Sequence, residues 1–468
     1  MTERYDVAIV GGGPAGQAAA LQVLAAGLST CMIDEQQRPG GQILRQPPRE
    51  LSYGGWMQGG LYRNLREQLA RIEADPRLDW IGGTSVLGLA RESASEGGGF
   101  TLSLSGARTR ELRARRVLVA AGCYDMPVAL PGWTLPGAMS VGAVQTLLKA
   151  QGVLPGQRFA LFGTHPLMFV LAEQLVEAGA QVAAVTFAQG FGTMARLALP
   201  HVPAASATPT PLLAALRSWR KLRKAGVPIH YGAPVARVAG DGARVNGIEL
   251  ADGRAIACDV AAMCYGFLPQ SDLPRAAGAQ VVWSDPAGGW ETRHDAWMRA
   301  SLPGLYVAGE TTGVTGADAA VAEGGIAGLA MASDAGAIDA RTATREHGLL
   351  TSRRRELDGF IALLRSVADP RPWLPQSDPQ TLICRCEDVD AATVDGAIAQ
   401  ALQVGSSFGA SAIKLRCRAG MGLCQGRSCE HALVRRIAAA QGRPAGEVAG
   451  FRARFPARPV PIDELLGP

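Results

Sequence analysis

Residues 5–16 read Tyr5-Asp6-Val7-Ala8-Ile9-Val10-Gly11-Gly12-Gly13-Pro14-Ala15-Gly16, and this stretch decides the fold. The first six residues form a short, largely apolar run of the length of a buried strand. The Gly11-x-Gly13-x-x-Gly16 spacing follows at once. An Ala-rich helical stretch then runs to about residue 26, Gly27 stops it, and a second strand over 29–33 ends in Asp34-Glu35. A GxGxxG alone is a weak signal, but strand, turn, helix, strand and terminal acid together predict a dinucleotide site. Gly11 allows the tight turn, Gly13 lets the backbone approach a pyrophosphate, and Gly16 lets the helix pack on the sheet. The helix N-terminus offers unpaired N–H groups and positive dipole to the phosphates. Asp34 is placed to accept from the adenosine ribose hydroxyls, with Glu35 as the alternate.

Further strands are expected near 116–121, 229–237, 244–250, 258–264 and 305–308, with a small-residue helix over 318–337. Residues 158–162, 166–178 and 181–187 repeat the strand–helix–strand pattern. Their glycine motif is damaged: Gly163, His165 and Met168 stand where three glycines would. A His side chain at the middle position occupies space a pyrophosphate needs, and Met168 pushes the helix from the strand. The next strand ends Val185-Thr186-Phe187-Ala188, with neither an acid for a ribose diol nor an Arg for a 2′-phosphate. The fold of this second unit is expected to survive with weak or absent NAD(P)H binding, ATP or another nucleotide staying open as its ligand, and His165 reads as a capping or packing residue.

The chain has 468 residues, 58 of them glycine, and a net charge of only +5 with no run of five like charges, which argues against nucleic acid as a partner. No apolar run reaches the length of a membrane span. The start has no charged region, apolar core or cleavage site of a secretory leader, which predicts a cytoplasmic protein. Nine cysteines then suggest metal or redox chemistry. Cys31, Cys123, Cys258 and Cys264 stand singly in apolar surroundings and read as inert. Residues 369–379 hold four prolines and read as a linker. Beyond it, Cys384-Arg385-Cys386 is followed by Cys424-Gln425-Gly426-Arg427-Ser428-Cys429, which suits a [2Fe–2S] cluster or tetrahedral zinc. The Gly-rich loop 418–423 can wrap such a centre, and Arg418 and Arg427 add positive charge. Trp133 reads as a packing anchor, Trp219–Lys224 and Arg353–Arg355 as surface helix, and the Pro-rich tail 452–461 as an extended segment packed on another domain or another chain.

Several stretches resemble known families. Pro39-Gly40-Gly41-Gln42, Val119-Ala120-Ala121-Gly122, Leu305–Glu310 and Ala319–Gly324 resemble the flavin-contacting motifs of thioredoxin-reductase-like flavoproteins. That resemblance implies FAD, held by Gly11, Gly13, Pro14, Ala15, Gly16, Asp34, Glu35, Gly41, Gln42, Val86, Ala121, Gly122, Gly309, Glu310, Ala319 and Val321. Many relatives carry Asp where this chain has Glu310. The late Cys motif resembles the bacterioferritin-associated-ferredoxin type of [2Fe–2S] domain, which implies Cys384, Cys386, Cys424 and Cys429 as ligands and leaves Cys417 spare.

With Cys123-Tyr124-Asp125-Met126-Pro127 and Pro131–Gly137 added, nearly the whole chain resembles the α subunits of heteromeric amino-acid dehydrogenases: those of opine oxidase and D-hydroxyproline dehydrogenase, and the B subunit of hydrogen cyanide synthase. The implied fold is α/β, a thioredoxin-reductase-like flavoprotein of two dinucleotide-binding domains with a small C-terminal helical [2Fe–2S] domain. The implied bounds are 1–125 with 280–340 for the FAD domain, 126–279 for the degenerate nucleotide domain, 341–377 for a helix and linker, and 378–468 for the cluster domain. The implied function is an electron-transfer subunit, with the catalytic residues in a partner β subunit of the D-amino-acid-oxidase/sarcosine-oxidase type. A small ferredoxin-like γ subunit, an FMN at the subunit interface and peripheral membrane or quinone coupling accompany that expectation. The alternatives are glycine oxidation in a hydrogen cyanide synthase, a stand-alone NAD(P)H-dependent ferredoxin-type reductase, and a scaffold with redox-silent FAD and structural zinc.

Overall fold

The computed structural model describes residues 3–51, 62–93, 98–107, 111–285, 289–405 and 407–463. Strand Arg4–Val10 lies between Thr30–Ile33 and Glu111–Val119, parallel to both. Leu78–Ile81 extends this sheet on one side. Antiparallel strands Phe100–Gly106 and Thr84–Arg91 extend it on the other, and Leu305–Val307 returns late in the chain to pair with Glu111–Val119. Val7, Ala8 and Ile9 are fully buried, as a parallel sheet covered on both faces requires. Helix Pro14–Ala25 packs closely on helix Ala317–Asp334. Gly16 lets the first of these helices lie on its own turn, because a Cβ there would stand 2.0 Å from the Gly11 carbonyl oxygen.

The second sheet is parallel throughout, in the order Ile229–Tyr231, Gln181–Phe187, Arg158–Gly163, Val260–Cys264, Ala138–Ser140. The single strand expected over 229–237 is two. Gly232 takes φ +67° and Pro234 has no N–H to give, so the chain turns and Val235–Gly240 joins a separate antiparallel sheet.

Helices Ala340–Glu356 and Asp358–Ala368 lead into the Pro-rich segment, which carries only the single 3₁₀ turn Arg371–Trp373. Arg354 is not simply a surface residue of the first of these helices. It pairs at 2.8 Å with the buried carboxylate of Glu323, because that acid sits under the helix and a buried charge needs a partner. The last unit is a short hairpin, Leu382–Cys384 with Val389–Asp390, and helices Ala391–Val404, Ala410–Cys417 and Glu430–Gln441. Its core is continuous with that of residues 126–135 and 235–268. Trp133 is the anchor, buried and donating its Nε1–H to the Leu382 carbonyl at 2.7 Å.

Candidate functional site

The C-terminal ends of the first sheet's strands open into a cavity of about 370 Å³. Its floor is the first glycine motif, with Gly11, Gly13, Pro14 and Ala15 on the wall. One end is bounded by Asp34, Glu35 and Val86; Gly41 stands directly against Gly13, Gly309 against Ala15, and Gln42, Ala121, Gly122 and Glu310 complete the lining. A Cβ built on Gly13 meets no protein atom closer than 3.7 Å, so the missing side chain leaves cavity space and not packing space. Two helices begin here. Pro14–Ala25 and Ala317–Asp334 are capped by Gly13 and Gly316, neither with a side chain to satisfy the first N–H groups. Such ends attract phosphate or a carbonyl oxygen carrying negative charge. A cavity lined by a buried acid and by two bare helix N-termini fits a flavin dinucleotide.

Three residues of the expected set do not line this cavity. Gly16 faces its own turn, Ala319 is buried in the helix packing, and Val321 packs beside Leu44, Leu65 and Leu69. Ala317 and Ala320 take their place. Positions three apart share a helix face, and 319 and 321 fall to either side of it.

The polar groups are held firmly. Asp34 accepts from the backbone N–H of Gly12 at 2.6 Å and of Gln36 at 2.7 Å, while burial raises its carboxyl pKa. Burial also raises the Glu310 carboxyl, which accepts a hydrogen bond from the Cys123 thiol at 2.9 Å. Burial, and then the neighbouring Glu310, pushes that thiol up. Cys123 is therefore part of the cavity wall and not an isolated core thiol. Glu323, unremarked in the sequence, accepts from the Gly309 N–H at 3.0 Å and the Thr312 hydroxyl at 3.1 Å and so fixes the loop that carries Glu310.

The strand ends of the second sheet, where this fold ordinarily binds a second dinucleotide, are covered. Thr164 and Gln189, both fully buried, lie at the ends of strands Arg158–Gly163 and Gln181–Phe187. Thr164 Oγ1 donates to the Ala368 carbonyl at 3.0 Å, and Gln189 Nε2 to the Val367 carbonyl at 2.8 Å. The C-terminal turn of helix Asp358–Ala368 thus sits at the sheet edge where a dinucleotide would lie. Sequence reasoning missed this cover, because its contacts join residues some 200 positions apart. His165 accepts from the Leu167 N–H through Nδ1 at 3.1 Å and meets the Phe267 ring edge-on. It caps the following helix, and with Nδ1 accepting, the proton stands on Nε2. The ring also lines the first cavity, and burial lowers its pKa to about 4.

In the last unit the four expected thiols come together as two pairs, Cys384 with Cys429 and Cys386 with Cys424. The Gly420 N–H points at Cys384 Sγ, 3.5 Å away, and Gly422 lies so close that a Cβ there would stand 2.3 Å from Cys386 Cβ. Cys417 joins neither pair and donates to the Ile413 carbonyl in its own helix. Among the described residues no three His, Cys, Asp or Glu side chains converge as a single-ion site. Four thiols arranged as two pairs have the donor chemistry of an iron–sulfur cluster.

The pyridine nucleotide-disulphide oxidoreductase profile matches residues 5–324. The opine oxidase A chain of Rhizobium meliloti is 32% identical over 480 aligned positions, covering 99% of this chain and 88% of that protein. The hydrogen cyanide synthase protein HcnB of Pseudomonas aeruginosa is 32% identical, with 97% of each chain covered. Among solved structures, L-proline dehydrogenase from P. horikoshii superposes with a TM-score of 0.69 at 21% identity, over 98% of this chain and 79% of that one.

Proposed function

Because the chain belongs to the pyridine nucleotide-disulphide oxidoreductase family, and within it to the group of the opine oxidase A chains and HcnB, we propose that it is the electron-transfer subunit of a heteromeric dehydrogenase oxidising an opine or a D-amino or imino acid such as hydroxyproline. Membership makes the chain an oxidoreductase, implies FAD, and relates it to proteins named as subunits of larger enzymes. In this reading residues 1–125 with 280–340 hold FAD, 126–279 form a nucleotide domain that no longer serves NAD(P)H, and 378–468 hold a [2Fe–2S] cluster on Cys384, Cys386, Cys424 and Cys429. A bound flavin supplies two-electron chemistry and an iron–sulfur centre one-electron transfer.

The observation that carries the reading is the helix Asp358–Ala368 fastened across the second dinucleotide site. An oxidoreductase whose nicotinamide site is filled by its own chain takes its electrons from another donor, and in this reading that donor is a partner subunit. The residues around the first cavity then have a binding task. Asp34 holds the ribose end, the two helix N-termini face the phosphates and the ring system, and the Glu310–Cys123 pair keeps a proton enclosed at the wall. The partner expected to choose the substrate is a β subunit of the D-amino-acid-oxidase/sarcosine-oxidase type, with a ferredoxin-like γ subunit and an interfacial FMN as further components.

The test is anaerobic titration of the purified chain with NADH and NADPH, followed by the same chain with its co-expressed partner and an amino-acid substrate. The reading expects no fast flavin bleaching in the first case and bleaching in the second. Fast reduction by either nicotinamide would return the chain to the stand-alone reductase class. The equal similarity to the hydrogen cyanide synthase protein favours glycine as a second substrate reading. Assays of the complex on opines, hydroxyproline and glycine with an artificial acceptor separate the two.

A further inference from the structure

The far end of the chain also forms part of the flavin cavity. From Phe451, whose carbonyl accepts from Arg275 at 2.7 Å, the chain continues without helix or strand, bending at 455–458, to the first sheet. The Phe455 ring lies over Gly88, where a Cβ would stand 2.7 Å from it. The Ala457 N–H donates to the Leu87 carbonyl at 2.7 Å. Leu87 sits where the pairing of strands Thr84–Arg91 and Phe100–Gly106 slips by one residue, and such a bulge leaves a backbone group for a new partner. The Ala457 carbonyl accepts from Arg427 Nη2 at 2.7 Å, and Arg427 is paired with Asp272 at 3.0 Å. Arg458 then reaches the cavity, pairing with Glu35 at 2.6 Å and donating to Gln270 Oε1 at 3.3 Å. Arg427, Ala457 and Arg458 all line the cavity, at the end bounded by Asp34, Glu35 and Val86.

We propose that residues 455–458 are a strap that closes the adenosine end of the FAD cavity, with Arg458 as a positioning residue for the cofactor. The proposal rests on the reading of the cavity as an FAD site. Arg458 fixes the Glu35 carboxylate beside Asp34 and blocks the mouth through which the adenosine enters. The backbone bond of Ala457 and the Arg427 side chain hold the strap in place. Release of FAD therefore requires the strap to lift.

The test compares wild type, Arg458→Ala, Arg458→Lys and Ala457→Pro in the full chain, reading FAD dissociation from the rise in flavin fluorescence on dilution. Arg458→Ala should release FAD about fivefold faster, since a half-exposed pair contributes modestly. Ala457→Pro, which loses the N–H to Leu87, should release it at least about tenfold faster. Arg458→Lys should restore most of the wild-type rate. Affinity for FMN, which has no adenosine, should not change in Arg458→Ala, a pattern that general unfolding would not produce. Equal FAD release from wild type and Arg458→Ala, or an equal loss of FMN affinity, overturns the strap. If Ala457→Pro does not fold, the two Arg458 variants decide alone. A wild-type chain that binds no FAD defeats the cofactor reading itself.

Discussion

The carbonyl oxygen of Ala368 accepts a hydrogen bond from Thr164 Oγ1 at 3.0 Å, so the end of one helix is pinned to the strand end where this fold ordinarily binds its second dinucleotide. Gln189 makes the neighbouring bond to Val367 and also donates to the Thr164 carbonyl. Both donors are buried, so each bond lost leaves a carbonyl without water.

Replacing Gln189 with Met should therefore destabilise the protein by about 1–3 kcal/mol, measured by urea denaturation. It should not create nicotinamide reactivity, because His165 and Met168 still stand where glycines are needed. Flavin reduction by NADH in this variant would mean that the helix alone had closed the site.

Two glycines of one motif should respond in opposite ways. At Gly13 a side chain would enter the cavity, and its backbone at φ −76° suits any residue. Gly13→Val should fold with wild-type stability in the absence of FAD and bind FAD roughly tenfold or more weakly. At Gly16 the added Cβ would strike the Gly11 carbonyl oxygen, so Gly16→Val should cost roughly 3 kcal/mol or more of stability. Thermal melts with and without FAD separate the two effects.

The fold was legible where contacts are local or periodic. Gly11 to Glu35 declared its unit because turn, helix and acid lie within 25 residues and each has a backbone reason. Trp133 and the non-helical packing of the tail were also readable, from an isolated aromatic between prolines and from proline density. The break at Gly232–Pro234 was readable in principle and was hidden by the apolar residues on either side. The cover over Thr164, the Glu323–Arg354 pair and the Arg458–Glu35 contact were not readable. Each joins polar residues of ordinary kind across distant segments, and neither periodicity nor spacing marks such a meeting.

The five thiols of the last unit should not be equivalent. Cys417 is engaged with its own helix backbone and belongs to neither thiol pair. Cys417→Ser should keep metal content and visible colour, whereas Ser at Cys384, Cys386, Cys424 or Cys429 should abolish both. Iron, zinc and acid-labile sulfide per chain, with EPR after reduction, provide the measurement. Full zinc and no iron in the wild type would assign the four thiols to a structural ion.

His165 should give the apoprotein an acid-sensitive stability. Burial lowers its pKa to about 4, against 6.5 for the ordinary side chain, so between those values the unfolded chain binds more protons than the folded one. Stability is then complete above about pH 6.5, falls as the pH drops through the window, and levels off below about 4. A shift of that size corresponds to about 3 kcal/mol. His165→Asn keeps an acceptor for the Leu167 N–H and does not titrate. Between pH 7 and 4 the wild type should lose about 3 kcal/mol more than this variant in urea denaturation. Other groups titrate alike in both chains and cancel in the difference. Parallel curves would mean that the ring is solvated through the cavity it lines, and that its neutral state contributes nothing to folding.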